Sequence, residues 1–411
     1  MYFCRREKRA ERIAMLKVNM IWSNKKKENR LPYDDVLLSK TIDWLRFPMV
    51  LLVIFVHSQG RNYVSLSPSI GLEMSVLDFY DYFRNFLSVQ MGRVAVPVFF
   101  FISGFLFFYK TREWNVSAYL RKMKKRILTL IVPYIVWNFS DVLIVTVKKL
   151  FAFIIKGKPF SNILDYWSSL DLYRILWDNV TWPRYEAVNW LGVETYMSGP
   201  ANIPLWFLRD LIVVCVLAPI VYLVVKRAGR WGLLVLGLAY ASKVWLQWPG
   251  FSIEAMFFFS WGAYFSVHEK NFVEWFRAVS IPCYILAPLL AMVFTLCHGK
   301  TLLPVQYLNG LFIATSLVAA INLSSSLLRS GKTKVVPLLA QSSFFIYALH
   351  EVDILPEIKR FCSKIFPQDQ LWALTLDYLF VPVITAAICV LIYWFIKKFV
   401  PALLVPLTGG R

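Results

Sequence analysis

The sequence is short of charge. Asp, Glu, Lys and Arg make up 17% of its 411 residues, where a soluble domain carries about 25%. Its apolar stretches approach the ~20 residues that cross a bilayer. Together these exclude a soluble multidomain enzyme, whose helices need a polar face. Cysteine is also sparse. Of six, Cys215, Cys283, Cys297 and Cys389 lie in apolar stretches, Cys4 in a basic segment and Cys362 in a loop. That pattern forms no disulfide framework. There is no CxxC and no His-rich spacing, so no metal site is predicted. No cleavable signal peptide is read, because the first apolar stretch starts near residue 42 and lacks a small-residue cleavage site. Internal repeats, low-complexity segments and nucleic-acid motifs are missing too. The net charge of +20 therefore needs another explanation than nucleic acid.

Hydropathy supplies it. Spans are predicted at about 41–58, 92–109, 127–147, 203–225, 231–248, 251–267, 279–297, 303–325, 335–355 and 376–396. The expectation is an all-α, polytopic integral membrane protein with about ten transmembrane helices. Lys and Arg concentrate in alternate connections. Eleven lie in residues 1–40, and seven in the loop that holds Arg121, Lys122, Lys124, Lys125 and Arg126. This asymmetry predicts that both termini are cytoplasmic. The organisation expected is a basic tail over 1–40, a transmembrane domain over 41–400 and a short cytoplasmic tail over 401–411. One outer loop is long, about 156–202, and holds Tyr166, Trp167, Tyr173, Trp177, Trp182, Tyr185, Trp190 and Tyr196. Those rings suit an interfacial aromatic belt or a lid that stacks on a sugar.

Charge at membrane depth costs roughly 2.5–3.5 kcal/mol per group and calls for a partner or a function. In the first span, Arg46 and His57 are eleven residues apart, so on a helix they share a face about 16 Å apart along the axis. Asp43 can pair with Arg46 at i, i+3. The predicted topology puts Arg46 near the cytoplasmic end. It puts His57 near the outer end, at the depth of Arg93, Arg209, Asp210, Glu254, His350 and Glu351. Ser343, Tyr347 and His350 share a face of the ninth span. One outward-opening polar cavity would explain this clustering. Plainer roles remain open: an interfacial histidine for His57, a snorkelling side chain for Arg46, and structural ion pairs for Asp210, Glu254 and Glu351.

Four motifs in order carry a resemblance. They are Asp43-x-x-Arg46 followed by ten residues and His57; Arg93-x-x-x-Pro97-x-Phe99-Phe100-x-x-Ser103-Gly104-Phe105; Leu205-Trp206-Phe207-Leu208; and Ser343-x-x-x-Tyr347-x-x-His350. On these the chain resembles the membrane acyltransferase-3 family, which acylates extracytoplasmic sugars. The resemblance implies a cytoplasmic acyl-CoA donor, acetyl-CoA by default, and no bound cofactor. It implies a hydroxyl of a cell-surface or lipid-linked polysaccharide as acceptor, and a multi-pass place in the bacterial inner membrane in contact with its lipid. Under it His57 is the general base, and Arg93 or a backbone amide stabilises the oxyanion. Asp43, Arg46, Trp206, Arg209, Tyr347, His350 and Glu351 are the substrate-binding candidates. A homo-oligomer stays open. The rival reading is a polysaccharide or small-molecule exporter, which would move its substrate without releasing thiol.

Overall fold

A computed structural model describes residues 35–58, 76–111, 113–188, 194–242, 248–297, 307–367 and 370–410. Most of the basic tail lies outside them. The helices are, in order, α1 (Asp35–His57), α2 (Val76–Arg84), α3 (Ala95–Phe108), α4 (Val116–Arg126), α5 (Val132–Lys156), α6 (Ser161–Ser168) and α7 (Leu172–Leu176). After strands β1 (Val180–Val188) and β2 (Glu194–Gly199) come α8 (Trp206–Val216), α9 (Ala218–Ser242), α10 (Ile253–Val267), α11 (Phe272–Arg277) and α12 (Ser280–Leu296). The chain ends with α13 (Asn309–Arg329), α14 (Pro337–Leu349), α15 (Leu355–Ile365), α16 (Leu371–Phe399) and α17 (Leu404–Thr408).

The described residues are helical, as expected, apart from one hairpin. β1 and β2 pair antiparallel within the long segment 156–202, from Val180 opposite Gly199 to Val188 opposite Glu194. Among the described residues, four continuous helical stretches can cross a membrane by length and composition: Tyr80–Phe108, Val116–Lys156, Asn309–Arg329 and Leu371–Phe399. The pair Ile203–Val216 and Ala218–Ser242, bent by 65°, makes a fifth if it is one span. Other expected spans fall on elements that miss those limits. α10 and α14 have 15 and 13 residues, and α1 holds Lys40, Asp43 and Arg46 within its 23 residues. The loop expected between the fourth and fifth spans is a break inside α9, where Gly229 takes φ 50°, a conformation open to glycine. Within residues 401–411, expected as a tail, Leu404–Thr408 form α17 and dock on α5, where Trp137 Nε1 donates to the Leu407 carbonyl at 2.9 Å.

The core is built from helices with no polar stripe. α3 buries Phe101, Phe105, Phe107 and Phe108 against Phe259 of α10 and Phe272 and Phe276 of α11, and Phe100 against Phe207 of α8. Ser252 starts α10 by accepting from the Ala255 amide at 3.2 Å, an ordinary N-cap. α3 and α10 touch backbone to backbone. A Cβ added at Gly104 would lie 2.0 Å from the Phe259 carbonyl oxygen, and one at Gly262 would lie 1.9 Å from that of Phe101. Such small residues let membrane helices approach closely. Gly262→Ala is therefore expected to force the helices apart and cost roughly 1–3 kcal/mol. Thermal unfolding of the purified variant in detergent checks this; an unchanged midpoint would show that the crossing tolerates a methyl group.

Candidate active site

α1 runs unbroken through Pro48 to His57, so the helical spacing of Arg46 and His57 is kept. Midway along it Arg46 pairs with Asp43 at 3.1 Å, both about one-third exposed. Trp44 Nε1 ties the same stretch to Thr333 Oγ1 at 3.0 Å. At the C-terminal end the His57 carbonyl accepts from Lys359 Nζ of α15, a cation placed where a helix C-terminus favours one.

α14 stops at Leu349, and the chain turns through His350–Ile354 before α15. Val352 leaves the helical region, and Asp353 sits at φ 72°, a left-handed conformation that costs a non-glycine residue energy. Lys148 of α5 holds the Asp353 carboxylate and reaches Glu357 at 3.4 Å. The break sets His350 and Glu351 against the end of α1. His57 Nδ1 lies 3.1 Å from Glu351 Oε1, their side chains 25% and 28% exposed. The rings of His57 and His350 meet edge to face at 5.2 Å.

His350 is fully buried. Its Nδ1 lies 2.8 Å from the Tyr347 carbonyl and 3.2 Å from that of Ile346. Carbonyls only accept, so Nδ1 carries the proton and Nε2 the lone pair. Among the described residues Nε2 has no hydrogen-bond partner. One trio of metal-capable side chains stands out among them: His57, His350 and Glu351 offer one ligand atom each within 4.8 Å of one another. Sequence spacing gives no hint of this set.

The remaining candidates form the surroundings. Tyr347 is buried, donates its hydroxyl to the Pro204 carbonyl and packs edge to face on Phe207 at 5.9 Å. That bond fixes the turn from which α8 begins at Trp206, itself half-buried. Arg93 is half-buried on the turn Gly92–Val94. A Cβ on the preceding Gly92 would come 2.2 Å from Val56 Cγ2, so this turn abuts the His57 end of α1. Arg209 is engaged elsewhere. It pairs with Asp210 at 3.0 Å and donates to the carbonyls of Trp177 and Ser198 and to Ser198 Oγ. These bonds fasten α7 and the hairpin to the bundle.

Two site-supporting residues carried no sequence signal. Asn202 Nδ2 donates to the Ala348 carbonyl at 2.9 Å, and the Asn202 amide donates to Asn138 Oδ1 at 3.0 Å. A single asparagine in an apolar run has no periodicity to betray it. Ser88 is similar: its hydroxyl donates to the Phe55 carbonyl at 2.6 Å, two residues before His57.

A family model described as an acyltransferase domain matches residues 39–394. The chain is 27% identical over 390 residues to the succinoglycan biosynthesis protein ExoH of Rhizobium meliloti (strain 1021), over 92% of this chain and 94% of that one. No solved structure matches.

Proposed function

The chain belongs to the membrane acyltransferase-3 family and is an O-acyltransferase, and from that premise we propose that it moves an acyl group, acetyl by default, from cytoplasmic acyl-CoA to a hydroxyl of a cell-surface or lipid-linked polysaccharide. Its relative ExoH is a succinoglycan biosynthesis protein, which supports a polysaccharide acceptor. The observation that carries the chemistry is the 3.1 Å pairing of His57 Nδ1 with Glu351. A carboxylate there holds the Nδ1 proton, leaves Nε2 as the base and stabilises the imidazolium once it forms.

In this reading the donor enters from the cytoplasm beside Arg46, whose guanidinium suits phosphate, and its pantetheine arm follows α1 outward. His57 Nε2 takes the proton of the acceptor hydroxyl as the oxygen attacks the thioester carbonyl. The tetrahedral oxyanion is met by Arg93 or a backbone amide. The C–S bond then breaks, and the imidazolium returns its proton to the departing thiolate, giving free CoA and the ester. Trp206, Tyr347 and His350 line the acceptor side, and Arg209 serves it by holding the outer hairpin. The membrane is the bacterial inner membrane, with both termini cytoplasmic.

Thiol release by purified protein given acyl-CoA and a glycan acceptor tests the reaction; transport of the glycan with no thiol released would overturn it. Arg46→Ala is expected to raise the KM for acyl-CoA about tenfold, the weight of one charge-assisted hydrogen bond, with kcat little changed. An unchanged KM would remove Arg46 from the donor path.

A further inference from the structure

We propose that His57, His350 and Glu351 also form a binding site for a divalent transition-metal ion of the zinc class, and that the bound ion switches the transferase off. The second half rests on His57 as the base; the site itself does not.

The donor set is two imidazoles and one carboxylate. That chemistry suits Zn2+, Co2+ or Cu2+ and disfavours Mg2+ and Ca2+, which take oxygen. The three ligand atoms lie within 4.8 Å of one another, and His57 Nδ1 and Glu351 Oε1 are already 3.1 Å apart. Ligands bound at about 2.0–2.2 Å in a tetrahedron sit about 3.3–3.6 Å apart. The closing movement falls to His57 and Glu351, whose side chains are about one-quarter exposed.

His350 provides the second, independent observation. It is fully buried, and its Nε2 has no partner among the described residues. Its Nδ1 is anchored on the Tyr347 carbonyl at 2.8 Å. A ring nitrogen held by a backbone carbonyl while the other points its lone pair inward is the arrangement of a metal-ligating histidine. An unpaired acceptor in the interior is costly, and an ion satisfies it directly. Three protein ligands leave one coordination position for water.

The ion would oppose the reaction. It draws Glu351 and a His57 nitrogen into its own coordination shell, so the imidazole loses either its lone pair or the carboxylate that orients it. Only the metal-free fraction turns over. At an ion concentration about ten times Kd, acyl transfer therefore falls about tenfold, and a chelator restores it.

The test uses the full chain purified in detergent, stripped with EDTA and dialysed against Zn2+. Metal analysis should find about one tightly held ion per chain, with loss of roughly tenfold or more in affinity in His350→Ala and in Glu351→Gln. The second variant guards against misfolding, since Glu351 is part-exposed and Gln has its shape. Co2+ in place of Zn2+ gives a visible absorption band that reports the nitrogen and oxygen ligands. A chain that retains no ion, or retains it equally in both variants, overturns the site. Full activity with the ion bound, or activity lost on chelation alone, overturns the inhibition. Should His57→Ala keep full turnover while wild type still binds Zn2+, it is the base assignment that falls.

Discussion

His57→Ala is expected to reduce acyl transfer by about two to four orders of magnitude, the usual weight of a general base, while the protein still folds. The fold should survive for a specific reason. The tie from α15 to the end of α1 runs from Lys359 to the backbone carbonyl of residue 57, which alanine retains. The lost side chain is one-quarter exposed, so its removal opens no sealed cavity. Its partner Glu351 is left without its imidazole, but at 28% exposure water can replace much of that contact. The measurement is thiol release from acyl-CoA with a glycan acceptor, beside size-exclusion and thermal unfolding profiles of the same preparation. Turnover at the wild-type rate would mean that another group takes the hydroxyl proton. Loss of turnover with a disordered protein would be uninformative, which is why the unfolding midpoint belongs in the same experiment.

The parts of this site that were legible from sequence share one physical basis. Arg46 and His57 sit on one uninterrupted helix, and helical periodicity carries through Pro48, so their relation follows from counting. The depths predicted from topology then bring His350, Glu351 and Arg93 to the level of His57, because the direction of each span decides which ends share a side. Depth cannot say which groups touch. The pairing of His57 with Glu351 depends on the chain leaving the helix at Val352 and Asp353. The run His350-Glu351-Val352-Asp353-Ile354 holds neither glycine nor proline to signal a break; the left-handed residue is an aspartate held by Lys148. Arg209 shows the same limit: a buried arginine signals a job, but only the partners of its guanidinium reveal that it clamps Trp177 and Ser198. Span counting met a different limit. Hydropathy reads a window of residues and not the length of a helix, and α10 and α14 have 15 and 13 residues, below the ~20 of a full span.

Glu351→Gln tests the least legible contact most directly. Glutamine keeps the length and planarity of the side chain but carries no charge, and its amide can turn a donor toward Nδ1. Either change weakens the base: the wrong tautomer faces the substrate, or the imidazolium formed in the transition state loses its counter-charge. In a fully buried triad such a neutralisation costs about 10⁴ in kcat. Glu351 is partly exposed, so water screens the carboxylate, and a fall of roughly 10²–10³ is expected here. The KM for acyl-CoA should not follow, because the donor contact proposed at Arg46 lies three helical turns away. In the double variant with His57→Ala the two losses should not add, since a carboxylate that acts through an imidazole has nothing left to orient. Additive losses would mean that Glu351 meets the substrate on its own account, and the two residues would have to be assigned separate roles.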